Sequence, residues 1–167
     1  MPALLDLAQQ LQDTPFGIAL AESRYAFPIV EGAHLIGLSL SVGLITLIDL
    51  RLLGFFLRGI AVDDVLRSLR PWVLWGFALT FASGLALFTS EATTALTSPV
   101  FPYKMAFIAL AGLNALYFEL RLHRWRRRAP AGTAHEPPSS IVAAGWASLG
   151  LWALVVAAGR LLPYIPH

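Results

Sequence analysis

The chain has 167 residues, of which 57% are hydrophobic and 13% are charged. Soluble domains carry about twice that share of charged residues, and a core of this size is too small to hide so much apolar surface. The composition therefore excludes an ordinary soluble domain. The absence of cysteine excludes disulfides, thiolate nucleophiles and cysteine metal sites. We expect a single membrane domain over residues 1–167.

Residues 3–23 precede the first apolar stretch and mix polar with apolar side chains. They are too polar to cross a bilayer, and Thr14 followed by Pro15 is typical of a helix N-terminus. We therefore predict one or two short helices that lie at the membrane interface. No basic stretch precedes an apolar run in residues 1–12, so we expect no cleavable signal peptide.

Four later stretches are long and apolar enough to cross a bilayer, which requires about 20 residues in a helix. We predict spans at about 28–50, 71–90, 102–122 and 140–162. Pro28, Pro71 and Pro102 begin the first three, where the missing N–H of proline costs little. Between the first two spans, residues 61–70 are expected to form another interfacial helix, with acids first and arginines later. Residues 123–139 are basic and proline-rich, and we predict a loop there.

Basic residues are unevenly distributed between the two sides that four spans define. Nine arginines lie in the connections after the first and third spans: Arg51, Arg58, Arg67, Arg70, Arg121, Arg124, Arg126, Arg127 and Arg128. Arg24, Lys104 and Arg160 belong to the opposite side. Because basic connections stay in the cytoplasm, we predict an all-α four-helix bundle with both termini outside. The arginines of 124–128 are expected to anchor the chain and contact anionic lipid, not nucleic acid.

Ionisable side chains from every span are predicted to converge in one outer layer, where charged groups are costly and usually paired or functional. They are Glu31, His34, Glu91, Lys104 and Arg160. The first two are three residues apart and so share a helix face. Thr80, Ser83 and Gly84 share a face of the second span. We expect an outward-facing polar cavity that is lined by Glu31, His34, Ser83, Glu91, Lys104, Asn114 and Arg160.

Each member of this layer also has a purely structural interpretation. The glutamate and histidine of the first span would then hydrogen-bond each other or a neighbouring backbone. Lys104 and Arg160 would extend to lipid headgroups, and the polar residues of the second and third spans would hydrogen-bond between helices. At the inner end of the first span, we expect Asp49 and Arg51 to form a local ion pair.

His34 is the histidine that the predicted spans place inside the membrane, and a buried histidine is a natural axial ligand for haem iron. A b-type haem normally takes two such ligands, so the second would come from another chain, from Lys104 or from water. Alternatively, His34 with Glu31 and Glu91 would hold a divalent ion. A proton relay through Glu31 and His34 is a third interpretation, because histidine titrates near neutrality.

Two strings of the sequence are distinctive: EGAHLIGLSLSVGLITLIDLRLLG at 31–54 and FPYKMAFIALAGLNALYFE at 101–119. Together they resemble an uncharacterised family of small bacterial four-span membrane proteins, over about residues 28–163. The resemblance implies a multi-pass protein of the bacterial inner membrane, and it carries no activity over to this chain. Many members have histidine where this chain has Glu119, which weakens the idea of a second ligand on the third span.

A looser similarity involves His34, Arg51 and Lys104. These residues match the small bacterial membrane protoporphyrinogen oxidase, which has a histidine in its first span, an arginine at that helix's inner end and a lysine that opens a later span. The copper-resistance D family is also similar, since it opens with a helix of the His-x-x-Gly type. Both similarities imply a haem-linked or metal-linked site.

Two classes of function follow from these patterns. The first is a redox or electron-transfer protein that binds haem b, with His34 as the iron ligand and with Glu31, Lys104 and Asn114 beside it. The second is a non-enzymatic protein: a small transporter, a homo-oligomer, or a structural subunit of a larger membrane complex. Small residues on the fourth span would allow close helix approach: Ala143, Ala144, Ala147, Ser148, Ala157 and Ala158. The sequence contains no motif that settles whether the protein is an enzyme.

Overall fold

A computed structural model of the chain describes residues 2–128, 137–162 and 164. The helices are α1 (Pro2–Gln12), α2 (Pro15–Glu22), α3 (Ala26–Leu52), α4 (Val62–Thr97), α5 (Phe101–Arg128) and α6 (Ser139–Leu161), and the described residues contain no strand. Helices α3 to α6 are each long and apolar enough to cross a membrane. The predicted all-α, multi-pass fold is confirmed, while the location of the termini outside stays a prediction.

The two short N-terminal helices are present and pack against α4. Thr14 caps α2, because its Oγ1 accepts a hydrogen bond from Gly17 N at 3.1 Å. Gln12 connects the end of α1 to the C-terminal part of α4 by hydrogen bonds. Its Nε2 donates to Ser90 O at 2.9 Å, and its Oε1 accepts from Thr93 N at 3.1 Å.

Helix α4 is longer than predicted. The separate interfacial helix expected over 61–70 is instead the first part of α4, which continues through Pro71. Proline has no N–H to donate to the carbonyl of Arg67. Both Arg67 and Pro71 are exposed, so water or a headgroup can satisfy that carbonyl without a break in the helix. Near its other end, α4 kinks at Glu91, whose φ of −134° and ψ of 29° are not helical.

Helix α5 also extends beyond its predicted end. Residues 123–128 are helical, although the sequence predicted a loop there. Residues 129–136, which hold the middle of the predicted loop, lie outside the described residues. A long run of arginine does not oppose a helix, since arginine is a good helix former once the chain has left the lipid.

Two salt bridges join this end of α5 to the beginning of α4. Arg126 Nε lies 2.7 Å from Asp63 Oδ1, and Arg70 pairs with Glu119. All four side chains are about 40% exposed, so each pair stabilises the fold by less than about 1 kcal/mol. They connect two helices that otherwise touch little.

The four long helices pack as two close pairs, α3 with α4 and α5 with α6. The pairs meet mainly through α3 and α6, whereas α4 and α5 touch little. Glycines bring α3 and α4 into backbone contact. A Cβ on Gly37 would lie 2.8 Å from Thr80 N, and a Cβ on Gly76 would lie 2.7 Å from Ser41 N. Small residues four apart on facing helices commonly produce such close crossings in membranes.

Apolar side chains fill the bundle between its two ends. One cluster contains Ile48, Leu52, Val62, Val65, Leu66, Val73, Leu122 and Ile141. A second contains Ala111, Trp152 and Val155, and the Phe77 ring packs on Trp152 with centroids 5.2 Å apart. Large apolar side chains are also exposed on the outer faces, among them Leu35, Ile36, Trp75, Leu85, Leu113 and Leu154. The chain therefore presents these faces to the lipid bilayer.

Candidate functional site

His34 lies where α3 meets α4, and it is half-buried. Its Nδ1 is 2.9 Å from Thr80 O and 3.2 Å from Ser83 Oγ. A carbonyl oxygen only accepts hydrogen bonds, so Nδ1 carries a hydrogen and donates it to Thr80 O. In the neutral ring, Nε2 then holds the free lone pair. Histidines that ligate metals are commonly held in this way, with one nitrogen donating to a carbonyl and the other facing the metal.

The face of α4 that receives His34 is made of small residues. Ser83 is buried, and its Oγ donates to Leu79 O at 2.5 Å within its own helix. A Cβ on Gly84 would lie 2.9 Å from His34 Cε1 and 3.3 Å from its Nδ1. As predicted, Ser83 and Gly84 share one face, and the absence of a side chain at Gly84 makes room for the imidazole.

Lys104 approaches from the other helix pair. It is half-buried near the start of α5, and its Cε lies 3.7 Å from the position that a Cβ on Gly159 of α6 would take. His34 contacts Ser83, and Lys104 begins α5 at the same end of the bundle. The predicted cavity that these residues share stays a prediction.

Three other members of the predicted layer are exposed. Glu31 is exposed on α3, and Glu91 is exposed at the α4 kink. Arg160 is exposed with its Cζ 5.4 Å from the centre of the Tyr164 ring. In the described part of the chain, no three His, Asp or Glu side chains come together to hold a metal ion. The three-ligand site of His34 with the two glutamates is therefore absent from this arrangement.

Asn114 belongs to a deeper layer than His34. It lies ten residues beyond Lys104 on α5, which is about 15 Å of helical rise. Its Nδ2 donates to Ala144 O of α6 at 2.9 Å. The prediction that Asn114 lines the outer cavity is therefore wrong. Its structural interpretation, a hydrogen bond between helices, is the one that the geometry supports.

Asp49 is buried against α6, which the sequence did not predict. The predicted ion pair with Arg51 is wrong, because Arg51 Nε donates to Ile60 O at 2.7 Å and Asp49 is only 5% exposed. The carboxyl faces α6, where a Cβ on Gly145 would lie 3.7 Å from Asp49 Oδ1. Its Oδ2 has no hydrogen-bond partner among the described residues. The available signal was the placement of an aspartate inside an apolar run, which usually marks an inward-facing side chain.

Comparison of the chain with protein-family models, with curated proteins and with solved structures gives no match. The resemblances inferred from the strings at 31–54 and 101–119 stay predictions. The function of the protein is therefore inferred from the geometry of His34 and its neighbours.

Proposed function

We propose that this membrane protein binds b-type haem through His34 and serves in electron transfer. The observation that carries the proposal is the orientation of the ring. Nδ1 donates to Thr80 O at 2.9 Å, which fixes the imidazole and leaves the Nε2 lone pair for iron. Such a bond at the second nitrogen also raises the basicity of a ligating histidine. The proposal includes a location in a bacterial inner membrane, which the resemblance of 31–54 and 101–119 implies.

With His34 as the single well-placed ligand, the site suits a haem group better than a metal ion that only protein side chains hold. Haem iron takes most of its ligands from the porphyrin, so one or two side chains are enough. A divalent ion in a protein needs about three or more donors, and the described residues contain no such group of His, Asp and Glu. His123 lies at the other end of α5, where its Nε2 accepts from Arg127 Nε at 2.9 Å. Of these two histidines, only His34 suits the iron.

The surroundings of His34 also suit the apolar porphyrin ring of haem and its propionate groups. Helices α4 and α5 touch little, so this side of the bundle is not closed by tight packing. Lys104 begins α5 at the same end of the bundle, and its ammonium group would balance the charge of a propionate. A bound haem would supply one-electron chemistry, while the chain itself would hold and orient the iron through His34.

The visible absorption spectrum of the purified protein tests this proposal. We expect a Soret band in mild detergent, as isolated or after addition of haemin, and we expect His34→Ala to abolish it. Ser83→Ala should weaken the band without removing it, because the bond to Thr80 O remains. His123→Ala is the matched control and should leave the spectrum unchanged. If the wild-type protein shows no Soret band with or without haemin, the proposal is wrong.

A second candidate function, a subunit of a homo-oligomer or larger complex, is favoured by the outer face of α6. Three of its small residues are buried within the chain: Ala144, Ser148 and Ala158. Three others are exposed: Ala143, Ala147 and Ala157. Exposed small residues let another membrane helix approach closely. On this hypothesis, native mass spectrometry of the protein released from membranes shows a species larger than one chain, and a monomer alone contradicts it.

A further inference from the structure

A cleft of about 310 Å³ lies at the end of the bundle where α5 ends and α6 begins. Its walls are Arg121, Arg124 and Trp125 from α5, and Pro138 and Ser140 from the beginning of α6. This end carries the two connections that are rich in arginine. The proposed haem site involves none of these residues, so any ligand of the cleft has a separate role.

The cleft is lined with positive charge that the described part of the chain does not neutralise. The salt bridges found there use Arg70 and Arg126, not Arg121 or Arg124. Both cleft arginines are exposed. Arg121 also has its Cζ 5.1 Å from the centre of the Tyr117 ring, which orients one face of the guanidinium and leaves its N–H edge for an acceptor.

The beginning of α6 adds donors to the same cleft. Pro138 is the N-cap residue and makes no side-chain cap. The first N–H groups of a helix have no partner within the helix, and they carry the positive end of its dipole. Ser140 also lines the cleft, so the beginning of α6 and the two guanidinium groups offer donors that match the oxygens of a phosphate.

The apolar surface next to the cleft indicates which kind of molecule carries that phosphate. Leu113, Leu116 and Leu120 of α5 are 50–63% exposed, and they lie on the helical turns that lead up to Arg121 and Arg124. Half-buried Trp125 lies at the same level as the arginines, which is a typical position for an aromatic residue at the membrane interface. A molecule with a phosphate in the cleft and acyl chains along these leucines is a phospholipid.

From these observations, we propose that the cleft is a binding site for an anionic phospholipid, with Arg121 and Arg124 holding its phosphate. Basic pockets between membrane helices on the cytoplasmic side bind anionic headgroups in this way. The site differs from general attraction to the surface because two arginines and the beginning of α6 line one cleft. Arg126 is excluded from the site because it is paired with Asp63.

Lipid binding to the full-length protein in detergent, measured by native mass spectrometry with phosphatidylglycerol, tests the proposal. We expect R121Q/R124Q to lower phosphatidylglycerol binding by about thirtyfold, since each arginine near a membrane surface contributes on the order of 1 kcal/mol and every 1.4 kcal/mol is tenfold. R121K/R124K keeps the charge but loses the guanidinium fork, so an intermediate affinity is expected. R58Q/R67Q removes two exposed arginines outside the cleft and should change binding by less than about twofold.

Four outcomes would overturn this assignment. The first is an equal loss of binding in R121Q/R124Q and R58Q/R67Q, which would show attraction to overall charge. The second is unchanged phosphatidylglycerol binding in R121Q/R124Q. The third is displacement of the lipid by millimolar inorganic phosphate, which would assign the cleft to a free phosphate ion. Phosphatidylcholine serves as the zwitterionic comparison, and binding as strong as that of phosphatidylglycerol would also contradict the proposal.

Discussion

Replacement of Gly37 by leucine is expected to separate α3 from α4 and to destabilise the bundle by about 3 kcal/mol. A Cβ at this position would lie 2.8 Å from Thr80 N and 2.9 Å from Gly76 O. Both are backbone atoms of a helix, which cannot rotate away as a side chain does. The helices themselves must therefore move, and the remainder of a leucine side chain enlarges the required displacement.

The same substitution should also disturb the candidate site. His34 lies one turn before Gly37 on α3, and its Nδ1 donates to Thr80 O across the same crossing. Separation of the helices breaks that bond, so the haem proposal predicts a weaker Soret band together with the loss of stability. The matched control is Gly43→Leu on the same helix, because a Cβ on Gly43 meets nothing within 4 Å.

Unfolding of both variants by sodium dodecyl sulfate, followed by far-UV circular dichroism, measures the difference. We expect Gly43→Leu to unfold at nearly the wild-type detergent fraction and Gly37→Leu to unfold much earlier. Gly37→Ala should fall between them, since one added carbon requires a smaller shift. Equal midpoints for Gly37→Leu and Gly43→Leu would contradict the close crossing of α3 and α4.

Replacement of Trp152 by alanine is the second change with a large expected effect, a destabilisation of about 3 kcal/mol or more. Trp152 is 9% exposed and packs on Phe77, with ring centroids 5.2 Å apart. It also packs with Ala111 and Val155 in the second apolar cluster. Removal of the indole leaves a cavity whose lining atoms lose their contacts, because neither lipid nor a neighbouring helix fills an internal space of that shape.

The control for this change is Trp75→Ala on α4, because Trp75 is 71% exposed. Lipid chains replace the contacts of an outward-facing tryptophan, so we expect its unfolding midpoint to change little. The measurement is the same detergent titration, read by circular dichroism rather than by tryptophan fluorescence. A larger loss of stability for Trp75→Ala than for Trp152→Ala would show that α6 does not face the bundle core as described.

Trp152 also separates two polar layers of the molecule. On α6 it lies between Gly145, which is close to Asp49, and Gly159, which is close to Lys104. The apolar cluster around Trp152 therefore lies between the Lys104 end of the bundle and the buried carboxyl of Asp49.

The extent of the long helices was only partly predictable. Residues 61–70 and 123–128 carry charges. The sequence therefore predicted that the second span begins after the first segment and that the third span ends before the second segment. The structure continues α4 and α5 through these residues because a helix outside the lipid is stabilised by its own propensity and by pairs such as Arg126 with Asp63. Hydropathy marks where a chain leaves the membrane, and it does not mark where a helix ends.

The sequence by itself determined that the protein is an all-α membrane protein with four long apolar helices. Backbone groups in lipid must be satisfied within their own segment, so apolar stretches of this length have no other stable form. Only the tertiary structure decided which side chains meet: His34 with Thr80, Asn114 with Ala144, and Asp49 with α6. In a membrane, apolar residues face the lipid as readily as the core. The rotation of each helix about its axis is therefore set by packing and hydrogen bonds between helices, and it is not visible in the pattern of hydrophobic residues.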